Sequence, residues 1–368
     1  MPSGPVRLEL ISGTNFSIAG AFAVPPGSPE PGGLDLNIQS MYNYAMLAMP
    51  AAGRLRGRNV LTMLDLSPDE LASLLGTARA LKEAGREQQH FLQGKSLAML
   101  FEKPSLRTRV SFEIGMTQLG GHAVVAHGQD FLLGKRETPE DVARVLSRYA
   151  DAIVVRTHEH EPLQRFAAAS TVPVINGLSQ AAHPCQALAD VLTIKERFGT
   201  LHGLRLAYVG DGKNNMAFSL AEAAAMSGMS VTFASPITHR PPDALLARVV
   251  ELGKNYNVTA RAFTSPLRAV RDVDVVYTDV WTSMGEEAYS ERNAAALRPY
   301  QVNEELMAAA APHALFMHCL PAHRGEEVTA GVIDGPHSVV FDQAENRMHA
   351  QKALLLALMT DLRGLGEE

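Results

Sequence analysis

Short apolar runs alternate with capped helical stretches along most of this chain, and that alternation leaves few folds open. Strand-like runs are read at residues 97–101, 124–125, 152–155 and 172–175, then at 204–209, 230–234, 273–278, 315–318 and 338–341. Between them lie helical stretches at 106–119, 183–198, 216–226 and 243–256, with a last helix at 345–362. Ser67-Pro68-Asp69-Glu70 opens the first clear helix, with Ser67 as cap, Pro68 in the first turn and Glu70 completing a capping box. Thr138-Pro139-Glu140-Asp141 opens another by the same logic. Strand and helix in alternation require parallel sheets with right-handed crossovers. A chain of 368 residues exceeds one ordinary core. The expected fold is therefore α/β: two doubly wound parallel-sheet domains with the active site in the cleft between them. The first is expected at 54–195 and the second at 196–342, joined near 190–203, with a C-terminal helix at 343–364 packing back on the first.

Composition narrows the function classes. Hydrophobic residues make up 46% and charged residues 20%, the balance of a soluble globular protein. The net charge of −6 argues against a general nucleic-acid binder, which carries a basic stripe. No stretch is long and apolar enough for a membrane span. The two cysteines, Cys185 and Cys319, lack zinc-type spacing and read as reduced thiols of a cytoplasmic protein. Residues 1–53 are rich in Gly, Pro, Ser and Ala, with Pro25-Pro26-Gly27-Ser28-Pro29 the clearest disorder signal. They are expected to form a disordered N-terminal extension, either a tail or translation from a start upstream of the true one.

Five motifs sit where strands end. Ser105-Leu106-Arg107-Thr108-Arg109 follows a buried strand and opens a helix. Free N–H groups, a positive dipole end, two hydroxyls and a planar guanidinium make this an anion site. Taken alone, the same run would be an ordinary Ser-capped helix with surface arginines. Arg156 ends another strand at the same sheet edge. His183-Pro184-Cys185-Gln186 opens a helix and offers an imidazole and an amide to a small carbonyl and its NH2 group; Cys185 reads as packing. Gly210-Asp211-Gly212-Lys213-Asn214-Asn215 superficially resembles a dinucleotide fingerprint, but Asn215 occupies the third glycine position and no acid ends the next strand. Asn215 is thus read as a polar contact to a small substrate. Asp279, with Ser283 after it, can hold an ammonium group, and His318-Cys319-Leu320-Pro321 ends a further strand. Arg347 alone would pass for a surface residue.

Together these motifs closely resemble the ornithine carbamoyltransferases, in order, from about residue 54 to 364. Phe-Glu-Lys-Pro-Ser-x-Arg-Thr-Arg and His-Pro-Cys-Gln-x-x-x-Asp occur in variant form in aspartate carbamoyltransferases too; Asp-x-Trp-x-Ser-Met-Gly and His-Cys-Leu-Pro look like the ornithine branch. The resemblance implies that Ser105, Leu106, Arg107 and Thr108 bind carbamoyl phosphate, helped by Arg156, His183 and Gln186, with Pro184 and Cys185 of the same run in that site. It implies that Asn215, Asp279, Ser283 and Met284 bind ornithine, and that Cys319, Leu320 and Arg347 contact the carbamoyl group. Arg107, Arg156, His183, Asp279 and Cys319 would be catalytic. No metal and no cofactor are implied, and the partners are the two small substrates, with neither nucleic acid nor membrane. Assembly as a homotrimer, or a multiple of trimers, is implied as well. Leu106 departs from the Thr often found there, so that position would act through its backbone. Leu132 stands where the family tends to place Gln or His in a loop reaching a neighbouring subunit, with Gln129 three residues earlier. The rival readings are another amine acceptor (aspartate, putrescine or an N-acylated ornithine), an NAD-dependent oxidoreductase, and a non-catalytic binding protein on the same fold.

Overall fold

The computed structural model describes residues 55–85, 90–128, 136–282 and 290–360. The expected extension at 1–53, Gln129, Leu132, Ser283, Met284 and the end of the last helix lie outside these residues.

Two all-parallel sheets form, each flanked by helices. The first carries β1 (Ser96–Phe101), β2 (His122–His127), β3 (Ala152–Arg156) and β4 (Val174–Leu178) in the order β2-β1-β3-β4. The second carries β5 (Arg205–Val209), β6 (Ser230–Ala234), β7 (Ala260–Phe263), β8 (Val275–Thr278) and β9 (Leu315–His318) in the order β7-β6-β5-β8-β9. Every residue of β3 and of β8 is buried, as expected for inner parallel strands covered on both faces. Both orders reverse direction once, between β1 and β3 and between β5 and β8. Ligands bind beyond the carboxyl ends of strands at such switch points.

Beyond single helical turns, the helices are α1 (Pro68–Glu83), α2 (Leu106–Gln118), α3 (Pro139–Leu146), α4 (His160–Ala169), α5 (Pro184–Phe198), α6 (Asn215–Met226), α7 (Asp243–Leu252), α8 (Ser290–Leu297) and α9 (Val340–Met359). Ser67 caps α1 with the capping box read from its sequence. The final helix α9 packs on α1, α2 and α5, so the last helical segment of the chain closes over the first sheet's helices. Leu354, Leu355, Leu356 and Leu358 of α9 join Leu71, Leu74 and Leu188 in the largest core cluster. Each fully buried leucine contributes about 1.5–3 kcal/mol.

Three expectations are corrected. Residues 338–341 form no strand: Ser338 makes a single parallel bridge to Phe316, and α9 begins at Val340, not near 345. The stretch 243–256 is not one helix. It breaks at Gly253, where a side-chain carbon would lie 2.3 Å from Val258, and a 3-10 turn Lys254–Tyr256 follows. Helix α4 and edge strand β7 carried no clear signal and were not expected.

Candidate active site

The cavity between the two sheets has a volume of about 670 Å³ and is lined from both sides. Ser105, Leu106, Arg107, Arg156, His183, Asn215, Asp279, Cys319, Leu320 and Arg347 all reach its wall. Thr108, Pro184, Cys185 and Gln186 do not line it; they are buried.

The strand β1 ends at Phe101, and four residues later Ser105 stands at the N-cap of α2. Its hydroxyl makes no capping bond but donates to Thr108 Oγ1 at 3.0 Å, so the first N–H groups of α2 stay available to a ligand. Thr108 Oγ1 also accepts from Arg156 Nη1 at 3.2 Å and from Arg347 Nη2 at 2.6 Å. One hydroxyl thus gathers two guanidinium groups from distant parts of the chain. In β3 the pairing with β4 shifts register between Val155 and Arg156, a bulge at the strand end that carries the arginine.

The electrostatics of this corner favour an anion. Burial, then Arg347 and Arg107, bring the Arg156 guanidinium down to about 9. Burial also lowers Arg107 and Arg347 below the usual arginine range. Arg107 Nε and Arg347 Nε are buried without hydrogen-bond partners. Clustered cations with unmet donors in a sheltered cleft call for a multiply charged oxyanion. Burial, then Arg347, Arg156 and Arg107, hold the His183 imidazole well below its usual value, so it is neutral at neutral pH.

Across the cleft, Asp279 follows β8 and Cys319 follows β9. The Cys319 thiol donates to Asp279 Oδ1 at 3.0 Å. Burial, then the Asp279 carboxylate, push this thiol well above its usual range, which makes it a donor and not a thiolate nucleophile. Cys185, buried in the core, is pushed up to about 12 by burial and is inert packing. Asn215 starts α6, lines the cleft and donates through Nδ2 to Ser179 O at 2.7 Å, tying the two halves. His183 N donates to Ser219 Oγ at 2.9 Å across the same boundary.

Asp279, His318 and Cys319 bring potential metal donors within 4.8 Å of one another. His318 Nδ1, however, accepts from Leu320 N at 2.9 Å, which leaves the ring proton on Nε2, facing Glu327 Oε1 at 3.3 Å. In this arrangement neither imidazole nitrogen offers a lone pair to a metal.

Residues that were passed over also shape the site. Asp190 closes the His-Pro-Cys-Gln-x-x-x-Asp run, four residues from Gln186 on one helical face; that spacing was the available signal. Gln343 gave none, because its partner Asp190 lies 153 residues away in the chain. Lys213, Thr238, His239 and Asn293 line the cleft from the second half.

Residues 58–196 match the carbamoyl-P binding domain model of the aspartate/ornithine carbamoyltransferases, and residues 202–358 match their Asp/Orn binding domain model. The ornithine carbamoyltransferase of Halalkalibacterium halodurans is 52% identical over 307 residues, 83% of this chain and 96% of that protein. The anabolic ornithine carbamoyltransferase of Pyrococcus furiosus is 48% identical over 312 residues, 84% of this chain and 98% of its own length. Among solved structures, ornithine carbamoyltransferase from Pyrococcus furiosus superposes with a TM-score of 0.80 at 49% identity, covering 83% of this chain and 98% of that one. The Thermus thermophilus enzyme gives 0.75 at 44% identity, covering 82% and 99%. By its motifs, its two-sheet fold and these likenesses, the chain belongs to the aspartate/ornithine carbamoyltransferase family.

Proposed function

We propose that this protein transfers the carbamoyl group of carbamoyl phosphate to the δ-amine of L-ornithine, giving L-citrulline and phosphate. The observation that carries the reading is the pairing of opposite chemistries across one cleft: Arg107, Arg156 and Arg347 on one side, Asp279 with Cys319 on the other. Phosphate oxygens meet the cations and the start of α2, through Ser105 and the N–H groups that include Leu106. Asp279 holds the α-ammonium group of ornithine, with Asn215 nearby; Ser283 and Met284 belong to the same proposed subsite by resemblance.

The neutral δ-amine attacks the carbamoyl carbon. The carbonyl oxygen gains negative charge, stabilised by Arg156, Thr108 and His183, each fixed donor contributing about 3 kcal/mol. Holding both substrates in line contributes on the order of 7–11 kcal/mol at best. Collapse breaks the bond to the phosphate oxygen, and the departing phosphate takes up the amine proton. Cys319, Leu320 and Arg347 frame the carbamoyl group.

Arginine synthesis is the proposed use, matching the anabolic relative. A cytoplasmic setting fits two free thiols and the absence, among the described residues, of a helix long and apolar enough to cross a membrane. A trimer fits the exposed apolar row Leu106, Val110 and Ile114 on α2 beside exposed Val124 of β2, a face that a second copy would cover.

An acceptor panel tests the substrate. Ornithine should give product, while aspartate, putrescine and N-acylated ornithine should not. Turnover with aspartate alone would reject the assignment. Binding of NAD, or absence of turnover with any acceptor, would favour the oxidoreductase or the non-catalytic reading.

A further inference from the structure

Asp190 lies outside the cavity wall and is fully buried on α5, yet it connects both sides of the site. Its Oδ1 accepts from Gln186 Nε2 at 2.8 Å and from Gln343 Nε2 at 2.7 Å. Burial raises the Asp190 carboxyl to about 7, yet Oδ1 is the acceptor in both bonds whether or not Oδ2 holds a proton, so both amides must turn their NH2 groups toward it. Their oxygens must then point away. Gln186 Oε1 accepts from Arg347 Nη1 at 3.0 Å, and Gln343 Oε1 accepts from His318 N at 3.0 Å. Gln186, Gln343, His318 and Arg347 are all buried, so no water can substitute freely for a wrongly turned amide.

We propose that Asp190 is a positioning residue for the transfer: as one acceptor shared by two buried amides, it fixes Gln186 against Arg347 and Gln343 against the strand end that carries Cys319. The first branch runs through Arg347 to Thr108 and the anion corner. The second runs through the backbone of His318 to Cys319, whose thiol holds Asp279. The carboxylate thereby sets the geometry of the phosphate side and the amine side from a point that touches neither substrate. Tyr277, whose hydroxyl accepts from Gln343 Nε2 at 3.2 Å, stands on β8 and braces the second branch. This inference rests on the proposed carbamoyl transfer.

Three variants test it against the wild-type protein assayed with carbamoyl phosphate and ornithine. Asp190→Leu removes the acceptor and should raise the KM for both substrates about tenfold, as expected for loss of a buried hydrogen bond on each branch. Asp190→Asn keeps an oxygen at the shared position and should restore most of that loss. Gln343→Met cuts only the second branch: the KM for ornithine should rise several-fold more than that for carbamoyl phosphate, a split that general loosening of the fold would not produce. It also serves if Asp190→Leu does not fold. Wild-type constants in Asp190→Leu, Asp190→Asn as impaired as Asp190→Leu, or equal effects of Gln343→Met on both KM values would overturn the proposal. An inactive wild-type protein would instead overturn the reading of the reaction.

Discussion

Replacing Arg347 by Met separates the stability of the anion corner from its function. The substitution keeps the length and apolar body of the side chain and deletes the guanidinium. Two effects on the unliganded protein oppose each other. Arg347 and Arg156 donate to the same Thr108 hydroxyl, which holds the cations roughly 5 Å apart; at an effective dielectric of about 20 their repulsion is about 3 kcal/mol. Removing it is stabilising. Against this, Thr108 and Gln186 lose charged hydrogen bonds, at about 1.5 kcal/mol or more each. The two terms nearly cancel, so thermal unfolding without ligand should shift by only a few degrees, roughly what 1 kcal/mol produces. Binding has no such compensation. A phosphate oxygen loses a charge-assisted partner in a sheltered cleft, about 3 kcal/mol, or on the order of a hundredfold in Kd. Titration calorimetry with carbamoyl phosphate at 25 °C reads the binding term, and a thermal melt reads the other. Wild-type affinity in Arg347→Met would refute the anion-site reasoning. A collapse of the melting temperature would refute the cancellation.

Other substitutions probe single groups. Asp279→Asn should raise the KM for ornithine about a hundredfold, from loss of about 3 kcal/mol of charge pairing, and leave that for carbamoyl phosphate unchanged; steady-state kinetics with each substrate varied decides. Cys319→Ser keeps a donor toward Asp279 and should retain far more turnover than Cys319→Ala, while slow alkylation of the wild-type thiol by iodoacetamide at pH 7 would match its raised thiol range. His183 is held neutral by burial, so His183→Gln should lower kcat at every pH without changing the shape of the profile. Because the unfolded chain protonates this histidine and the folded one resists, wild type should lose stability as pH falls below its ordinary 6.5, and the variant should lose less, as acid melts would show. Lys352 is buried on α9, its ammonium donating to Gln118 Oε1 at 3.0 Å, and burial lowers it to about 8. Lys352→Met should therefore raise the stability at pH 7 by about 3 kcal/mol. That advantage should shrink as pH rises from about 8 toward 10.5, where the folded lysine is neutral and the unfolded one still charged.

Much of the fold could be read because its elements carry local signals. Ser67 and Thr138 cap their helices through their side chains in the structure as their sequences indicate. The inner strands are short apolar runs whose burial on both faces leaves an unmistakable composition. The misread segment 338–341 shows the limit. Ser338-Val339-Val340-Phe341 has strand composition, but burial of Val340, Gln343 and Arg347 along one helical face overrides it. Edge strand β7 is only half-buried and has no such apolar run to announce it.

The lining of the candidate site was legible where a residue sits at a strand end or helix start, as Arg107, Arg156 and Asp279 do. It was not legible where the role depends on a contact between distant segments. Nothing near Arg347 in the chain says that it meets Thr108, 239 residues away. Gln343 likewise meets Asp190 only when α9 folds back on α5.

Phosphorus NMR, with citrulline assayed in the same tube, follows the transfer itself. Phosphate should appear from carbamoyl phosphate only when ornithine is present, one phosphate for each citrulline. Phosphate release that ignores ornithine, or consumption of carbamoyl phosphate without citrulline, would contradict it.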